Sequence, residues 1–243
     1  MAQLTATFRA LHHDRTPGDP LVIPGPWDAA SARVFADAGF PALATPSAGV
    51  AASLGYEDGE TPAAEMFAAV ARIVRSVGIP VSADIEGGYG LPAKELVARL
   101  LETGAVGCNL EDSAEDGTLK DPARHADWLA EVRTEAGDAL FINARVDTFL
   151  RGIDDPAEAV SRAHRYLAAG ADCVYPITAP PDQLPHLAAG IDAPINVGAP
   201  PGGPSLAELG RLGATRITFG PGLQRRATAA VREIAGALSR GTY

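Results

Sequence analysis

Eight short apolar runs, each followed by a longer amphipathic stretch, dictate what this chain can become. The runs cover residues 21–24, 42–46, 81–85, 107–110, 140–144, 173–177, 195–198 and 216–219. Runs of this length with no polar alternation read as strands buried on both faces. The stretches between them carry helix signatures. Thr61-Pro62 opens one, with Met66, Val70, Ile73, Val74 and Val77 on one face and Gly78 after it. Asp121-Pro122 opens another, with Trp128, Leu129 and Val132, and Asp155-Pro156 opens a third, with Val160, His164, Tyr166 and Leu167 before Gly170. A capping side chain, Pro at the first helical position and Gly at the end form a physical start-and-stop signal. Leu223, Ala227, Val231, Ile234 and Leu238 mark a last helix, and Leu4, Phe8 and Leu11 an extra one before the first strand. Strand–helix alternation gives a parallel sheet with helical crossovers. Eight units in 243 residues predict an α/β fold, a (β/α)8 TIM-type barrel with residues 1–243 as one domain. A doubly wound open sheet is the competing arrangement.

The formal net charge is -10. An acidic chain repels nucleic-acid phosphates, and no basic stripe offsets this, so no nucleic-acid partner is expected. No apolar run is long enough to span a membrane, and the segment 1–14 lacks the apolar core of a signal peptide. These features predict a cytoplasmic protein. Cys108 and Cys173 both lie within apolar runs and read as small buried hydrophobes.

In a barrel, chemistry gathers at the C-terminal ends of the strands. Polar residues recur there: Ser47-Ala48-Gly49 after the second strand, Asp84-Ile85-Glu86 and the glycine-rich run 87–90 at the third, Asn109-Leu110-Glu111-Asp112 at the fourth, Arg145-Val146-Asp147 at the fifth, and Asn196 at the seventh. Strand residues two apart point the same way, so Asp84 and Glu86 are expected to face the mouth together, joined by Glu111 from the next strand. Three carboxylates in a dry mouth repel one another and need protons or a metal to neutralise them. Oxygen ligands without His or Cys suit Mg2+, with Mn2+ also possible, held by Asp84, Glu86 and Glu111, some of them through water. Acids at strand ends also serve as helix caps, but clustering on neighbouring strands favours a site. Arg145, one strand further round, offers a planar grip for a carboxylate or enolate oxygen. Asn196 is a further candidate to touch substrate.

At these positions the chain resembles the phosphoenolpyruvate mutase / isocitrate lyase superfamily. Residues 81–90 resemble its acidic strand-three motif, residues 109–112 its strand-four motif and residues 144–147 its strand-five motif. Residues 48–58 resemble the stretch from substrate-binding amides to a mobile gate, and residues 170–174 the approach to strand six. The resemblance implies a barrel whose last helix is exchanged between subunits of a homodimer or homotetramer. It implies Mg2+ at the positions of Asp84, Glu86 and Glu111, with Asp58 nearby on the gate. Backbone amides around Ser47 and Ala48 would hold the carboxylate of a small α-keto or 2-hydroxy acid, and Arg145 would face it. Arg145, Asp58 and Glu111 are then the catalytic candidates, in an enzyme that stabilises the enolate of a pyruvate- or oxaloacetate-type substrate as a mutase, lyase or decarboxylase.

The chain departs from the superfamily in its gate. The lyase branch has a Lys-(Lys/Arg)-Cys-Gly-His motif after strand four; residues 113–122 here contain no Cys. Lys120 is the nearest match to a mutase-branch Lys, at a different spacing, and His125 reads as a surface or capping residue. Two rival readings stay open: a barrel enzyme of another class binding phosphate at Gly198, Gly202, Gly203, Gly220 and Gly222, and a barrel that binds ligand without turnover.

Overall fold

A computed structural model describes residues 2–13, 15, 18–114 and 116–242. Glu115, in the departed gate, lies outside the described residues. Eight strands appear where the apolar runs predict them: β1 (Leu21–Val22), β2 (Leu43–Ala44), β3 (Val81–Asp84), β4 (Gly107–Glu111), β5 (Phe141–Val146), β6 (Cys173–Pro176), β7 (Asn196–Gly198) and β8 (Arg216–Thr218). The helix α1 (Ala2–His12) precedes them. Between and after them come α2 (Ala29–Asp37), α3 (Ser47–Leu54), α4 (Ala63–Val74), α5 (Ala93–Thr103), α6 (Pro122–Ala136), α7 (Pro156–Ala168), α8 (Leu184–Gly190), α9 (Leu206–Arg211) and α10 (Gly222–Ser239).

All strand pairs are parallel. One run is ordered β2-β3-β4-β5-β6 and another β1-β8-β7. Two contacts join them into a ring. Val174 bridges Ile195 and donates its N–H to the Pro194 carbonyl at 3.1 Å. On the other side the Ala44 N–H donates to the Pro24 carbonyl at 3.2 Å. The result is the expected (β/α)8 barrel.

The caps hold as their chemistry requires. The Asp121 carboxylate accepts from the N–H groups of Ala123 and Arg124, and Asp155 accepts from Ala157, each with Pro at the first helical position. Two details differ from the sequence reading. α4 ends at Val74 with Arg75 as a right-handed cap, so Gly78 falls beyond it. α7 buries Ala159, Arg162, Ala163 and Tyr166, leaving His164 exposed. The helix turns this face inward because Arg162 reaches an acid within the barrel wall.

Outward-facing strand residues such as Val81, Ala83, Leu110, Ile142 and Ile217 pack on Met66, Leu96, Leu129 and Tyr166 of the helices. A second cluster forms the barrel floor, where Phe8 of α1 meets Leu21, Ile23, Ala42, Val106, Phe141 and Cys173. Gly107 makes room for this plug, since a Cβ there would lie 2.8 Å from the Phe141 carbonyl oxygen and 3.2 Å from the Phe8 ring. Both cysteines are free and buried. The last helix is different. None of α10 is buried, and Val231, Ile234 and Leu238 are 62%, 47% and 57% exposed along one stripe.

Candidate active site

The acid cluster assembles at the C-terminal end of β3 and β4. β3 stops at Asp84, so strand alternation does not carry Glu86 to the mouth as the sequence reading expected. Instead Glu86 adopts a left-handed conformation, φ 54°, in the turn that follows. Tyr89 does the same at 55°. Such values are uncommon for residues with a Cβ and mark a turn held by its surroundings. Gly88 explains part of the hold: at φ 86° it lies against Trp128 of α6, where a Cβ would sit 2.9 Å from the indole ring.

Asp84 accepts from the Ser47 hydroxyl at 3.2 Å, from the Ser47 N–H at 3.4 Å and from the Glu86 N–H at 3.4 Å. Ser47 is the first residue of α3 and Ala48 the second, so both amides belong to a helix N-terminus, where N–H groups point outward. Glu111 ends β4 in register with Arg145 on β5, and the two form an ion pair. Arg145 also grips Asp147 with two nitrogens, Nε to Oδ1 at 2.6 Å and Nη2 to Oδ2 at 2.8 Å.

Asp147 is fully buried and anchored in turn. Its carboxylate accepts from the Ser113 hydroxyl at 2.6 Å, and its N–H donates to Asp112 at 2.8 Å. Asp112 accepts from the Tyr166 hydroxyl at 2.8 Å and from Arg162 at 3.1 Å. The Arg145 guanidinium is therefore fixed by a buried network reaching α7, and its planar fork has little freedom left to lose on binding an anion. Sequence reading placed Arg145 but missed this support; the only signal for it was the Arg-x-Asp spacing at the strand end.

Burial sets the electrostatics. It pushes Glu86 up to about 7, helped by Asp84 and Asp58. Burial pushes Glu111 up to about 8, and Asp84, Asp147 and Glu86 push the same way against the opposing pull of Arg145. Asp84 is raised as well, again by burial. Burial works against the charge of Arg145, yet Asp147 and Glu111 hold it above the ordinary Arg range. Glu86 Oε1 is buried without a hydrogen-bond partner among the described residues.

The donor set is hard oxygen throughout, which fits Mg2+ or Mn2+. Among the described residues no three His, Cys, Asp or Glu side chains stand close enough to enclose a metal ion directly. The three carboxylates expected from the sequence thus do not close into one direct cage, and only ligation by one or two of them with water would suit Mg2+ here.

Other predicted residues lie elsewhere. Asp58 is exposed on the turn between α3 and α4 and reaches the cluster through its charge on Glu86. Asn196 is not at the C-terminal end of its strand as the sequence reading expects: it opens β7, level with Arg216 on β8, fully buried and exchanging hydrogen bonds with Thr218 at 3.2 and 3.3 Å. His125 is not a surface residue. It is buried between Trp128 and Tyr166, and burial holds it neutral with a pKa of about 3. Lys120 donates to the Glu111 carbonyl at 3.0 Å and the Gly87 carbonyl at 3.4 Å, tying the gate to the acid turn. The gate itself is a tight antiparallel turn, with Ser113 bridged to Leu119. Beside it a cavity of about 550 Å³ opens between Gly87, Pro92, Lys120, Arg124 and Trp128; none of the cluster acids lines it.

The sequence profile of the family described as Phosphoenolpyruvate phosphomutase matches residues 8–239. An uncharacterized protein of Mycobacterium tuberculosis is 36% identical over 216 residues, covering 88% of this chain and 81% of its own. A solved phosphonomutase candidate from Burkholderia cenocepacia J2315 is 38% identical, with a TM-score of 0.90 over 96% of this chain and 99% of that one. A phosphonopyruvate hydrolase, solved in complex with oxalate and Mg2+, has the same fold at 22% identity, with a TM-score of 0.87 over 98% of this chain and 87% of that one. With the acid turn, the strand-four acid and the strand-five arginine in register on one barrel, this chain belongs to the phosphoenolpyruvate mutase / isocitrate lyase superfamily.

Proposed function

We propose that the chain is a Mg2+-dependent enzyme that stabilises the enolate of a small α-keto acid, acting as a mutase, lyase or decarboxylase on a pyruvate- or oxaloacetate-type substrate. The observation that carries this reading is the pairing of Arg145, clamped by Asp147 and Glu111, with acids that burial drives toward protonation. Asp84, Glu86 and Glu111 would hold the cation, directly or through water, and the cation would supply a Lewis acid for the keto and carboxylate oxygens. The amides of Ser47 and Ala48, at the start of α3, orient the substrate carboxylate. Arg145 stabilises the negative charge that develops on the keto oxygen as the bond to C3 breaks. Its guanidinium is already in place, so little reorganisation is needed at that moment. Asp58 rides on the exposed gate and closes over the substrate, excluding water. Asn196 shapes the far wall of the pocket. The oxalate and Mg2+ bound by the phosphonopyruvate hydrolase relative agree with a planar dicarboxylate-like ligand at such a site.

The working form is a homodimer or homotetramer in the cytoplasm that exchanges α10 between subunits. The apolar stripe of Val231, Ile234 and Leu238 is the surface that such an exchange would cover.

A turnover screen tests the reaction. Oxaloacetate, phosphonopyruvate, phosphoenolpyruvate and 2-alkylmalates would be offered with Mg2+ and with EDTA, and products followed by proton and phosphorus-31 NMR. Pyruvate release or a phosphorus shift that requires Mg2+ is the expected result. Turnover indifferent to EDTA would refute the metal-dependent mechanism.

A further inference from the structure

Among the described residues Arg216 forms no ion pair or hydrogen bond with the site just described, although the charge of Asp84 acts on it. It lies on β8, fully buried at 0% exposure, and none of its Nε, Nη1 and Nη2 atoms meets a hydrogen-bond partner among the described residues. A guanidinium stays charged in proteins and carries five donors. The Phe8 ring lies 5.9 Å from its central carbon, which offers a cation–π contact but no acceptor oxygen or nitrogen. Buried polar groups are almost always satisfied, and a buried charge above all.

The missing acceptors stand around the same aromatic ring. His12 packs on Phe8 with centroids 4.7 Å apart, and its Nδ1 lies 2.7 Å from the Phe8 carbonyl. A carbonyl only accepts, so Nδ1 carries the proton. Burial and Arg216 together hold the ring neutral, with a pKa of about 3. Nε2 is then a bare lone pair, buried and without a donor. Asn143 follows Phe141 on the inner face of β5, and Phe141 meets Phe8 at 5.2 Å. Its Nδ2 donates to Asn109 at 2.8 Å, leaving Oδ1 unpaired. Ser82, also unpaired at Oγ, is the register partner of Gly107, the glycine that gives way to Phe8.

Arg216 and His12 thus meet at the Phe8 ring, and Asn143 and Ser82 carry their unpaired oxygens on strands beside the residues that this ring packs on. A metal cation would meet the charge of Arg216. An anion would satisfy Arg216 but face the lone pairs of His12 and Asn143. Water both donates and accepts, and serves all four residues. We infer that the barrel floor encloses a sealed cluster of ordered water molecules that links the Arg216 guanidinium to His12, Asn143 and Ser82. Ser82, Asn109 and Asn143 each precede Asp84, Glu111 and Arg145 by two residues on the same strand. The hydrated floor therefore lies one layer below the acids, with a permanent positive charge in it. This reading does not depend on the reaction proposed above.

The test is a crystal structure of the full chain soaked in sodium bromide, combined with oxygen-17 water relaxation dispersion in solution. Expected are ordered waters within hydrogen-bond reach of Arg216, at least one of them shared with His12 Nε2 or Asn143 Oδ1, and no anomalous bromide peak there. Long-lived water in solution should fall in Arg216→Met. If that variant does not fold, His12→Phe keeps the ring stacking and removes one acceptor, and should also lose long-lived water. A bromide ion against the guanidinium, a guanidinium with no solvent beside it, or unchanged long-lived water in both variants would overturn the inference.

Discussion

Two walls of the barrel mouth occupy equivalent places in the fold and could hardly differ more. The wall of β3, β4 and β5 ends in Asp84, Glu111, Arg145 and Asp147, with Glu86 just beyond. Four carboxylates face one guanidinium, and burial makes Asp84, Glu86 and Glu111 reluctant to ionise. The wall of β7 and β8 carries Asn196 at the start of β7 and Thr218 at the end of β8, which satisfy each other, and it continues into loops rich in Gly and Pro. A small cavity of about 270 Å³ lies there, with Arg226 among its lining residues. The first wall gathers more acid than its one arginine offsets; the second pairs its own polar groups. Unbalanced charge that the fold takes pains to position is the better guide to where chemistry occurs.

The contrast can be broken at its centre first. Arg145→Ala should reduce kcat on the order of 10²–10³-fold, the usual loss when a donor to a developing oxyanion is removed. It should also destabilise the fold by about 3–5 kcal/mol, because Asp147 and Glu111 are left buried without their partner. Urea unfolding beside steady-state kinetics separates the two effects; a variant with normal turnover would remove Arg145 from the mechanism. Asp84→Ala should weaken Mg2+ by more than about 100-fold, beyond what loss of a merely supporting residue costs. Its unfolding midpoint should hold or rise, since a buried like charge is gone. Titration calorimetry that finds unchanged Mg2+ affinity would place the metal elsewhere.

Proton linkage gives a subtler reading of the same wall. In the metal-free protein Glu86 and Glu111 keep their protons up to about 7 and about 8, above the ordinary Glu range. The folded chain then binds more protons than the unfolded one across that interval, so stability should fall as pH rises through it. Urea midpoints in EDTA should decline from about pH 5 to about pH 9, and saturating Mg2+ should flatten the curve, because the cation takes over from the protons. A decline that Mg2+ leaves untouched would mean the acids are not its ligands. The smallest effect belongs to the quiet wall. Arg226→Ala should change kcat/KM by less than about twofold, a surface-substitution effect, and inorganic phosphate should not compete with substrate. Strong inhibition lost in that variant would favour a phosphate cup at strands seven and eight.

Much of this was legible in the sequence, and the reasons for the exceptions are physical. Apolar runs and capped, proline-opened helices reported all eight strands and the start of α6 and α7, because those signals are local. Strand alternation predicts Glu86 at the mouth, but alternation ends at Asp84 and a left-handed turn carries Glu86 toward the cluster instead. Asp112, Asp147, Arg162 and Tyr166 appear as a network only once residues 35 to 54 positions apart meet, as in the bonds from Asp112 to Asp147 and Tyr166. His125 reads as a surface or capping residue because a polar residue near a helix start says nothing of the Trp128 and Tyr166 rings that enclose it. In the sequence Arg216 marks only the start of a strand. A charged residue opening an apolar run in a barrel was the available clue.

The plug at the barrel floor has a consequence in time. Phe8 of α1 rests against Phe141 and Arg216, so the helix that leaves the ribosome early docks on strands made much later. Until β8 is synthesised the apolar face of α1 has no final seat, and the floor closes only when the last strand arrives. Such long-range closure is slow and leaves a hydrophobic surface exposed during synthesis. Nascent chains stalled before β8 should hold α1 undocked, a vulnerability to aggregation or chaperone capture that the finished barrel no longer displays.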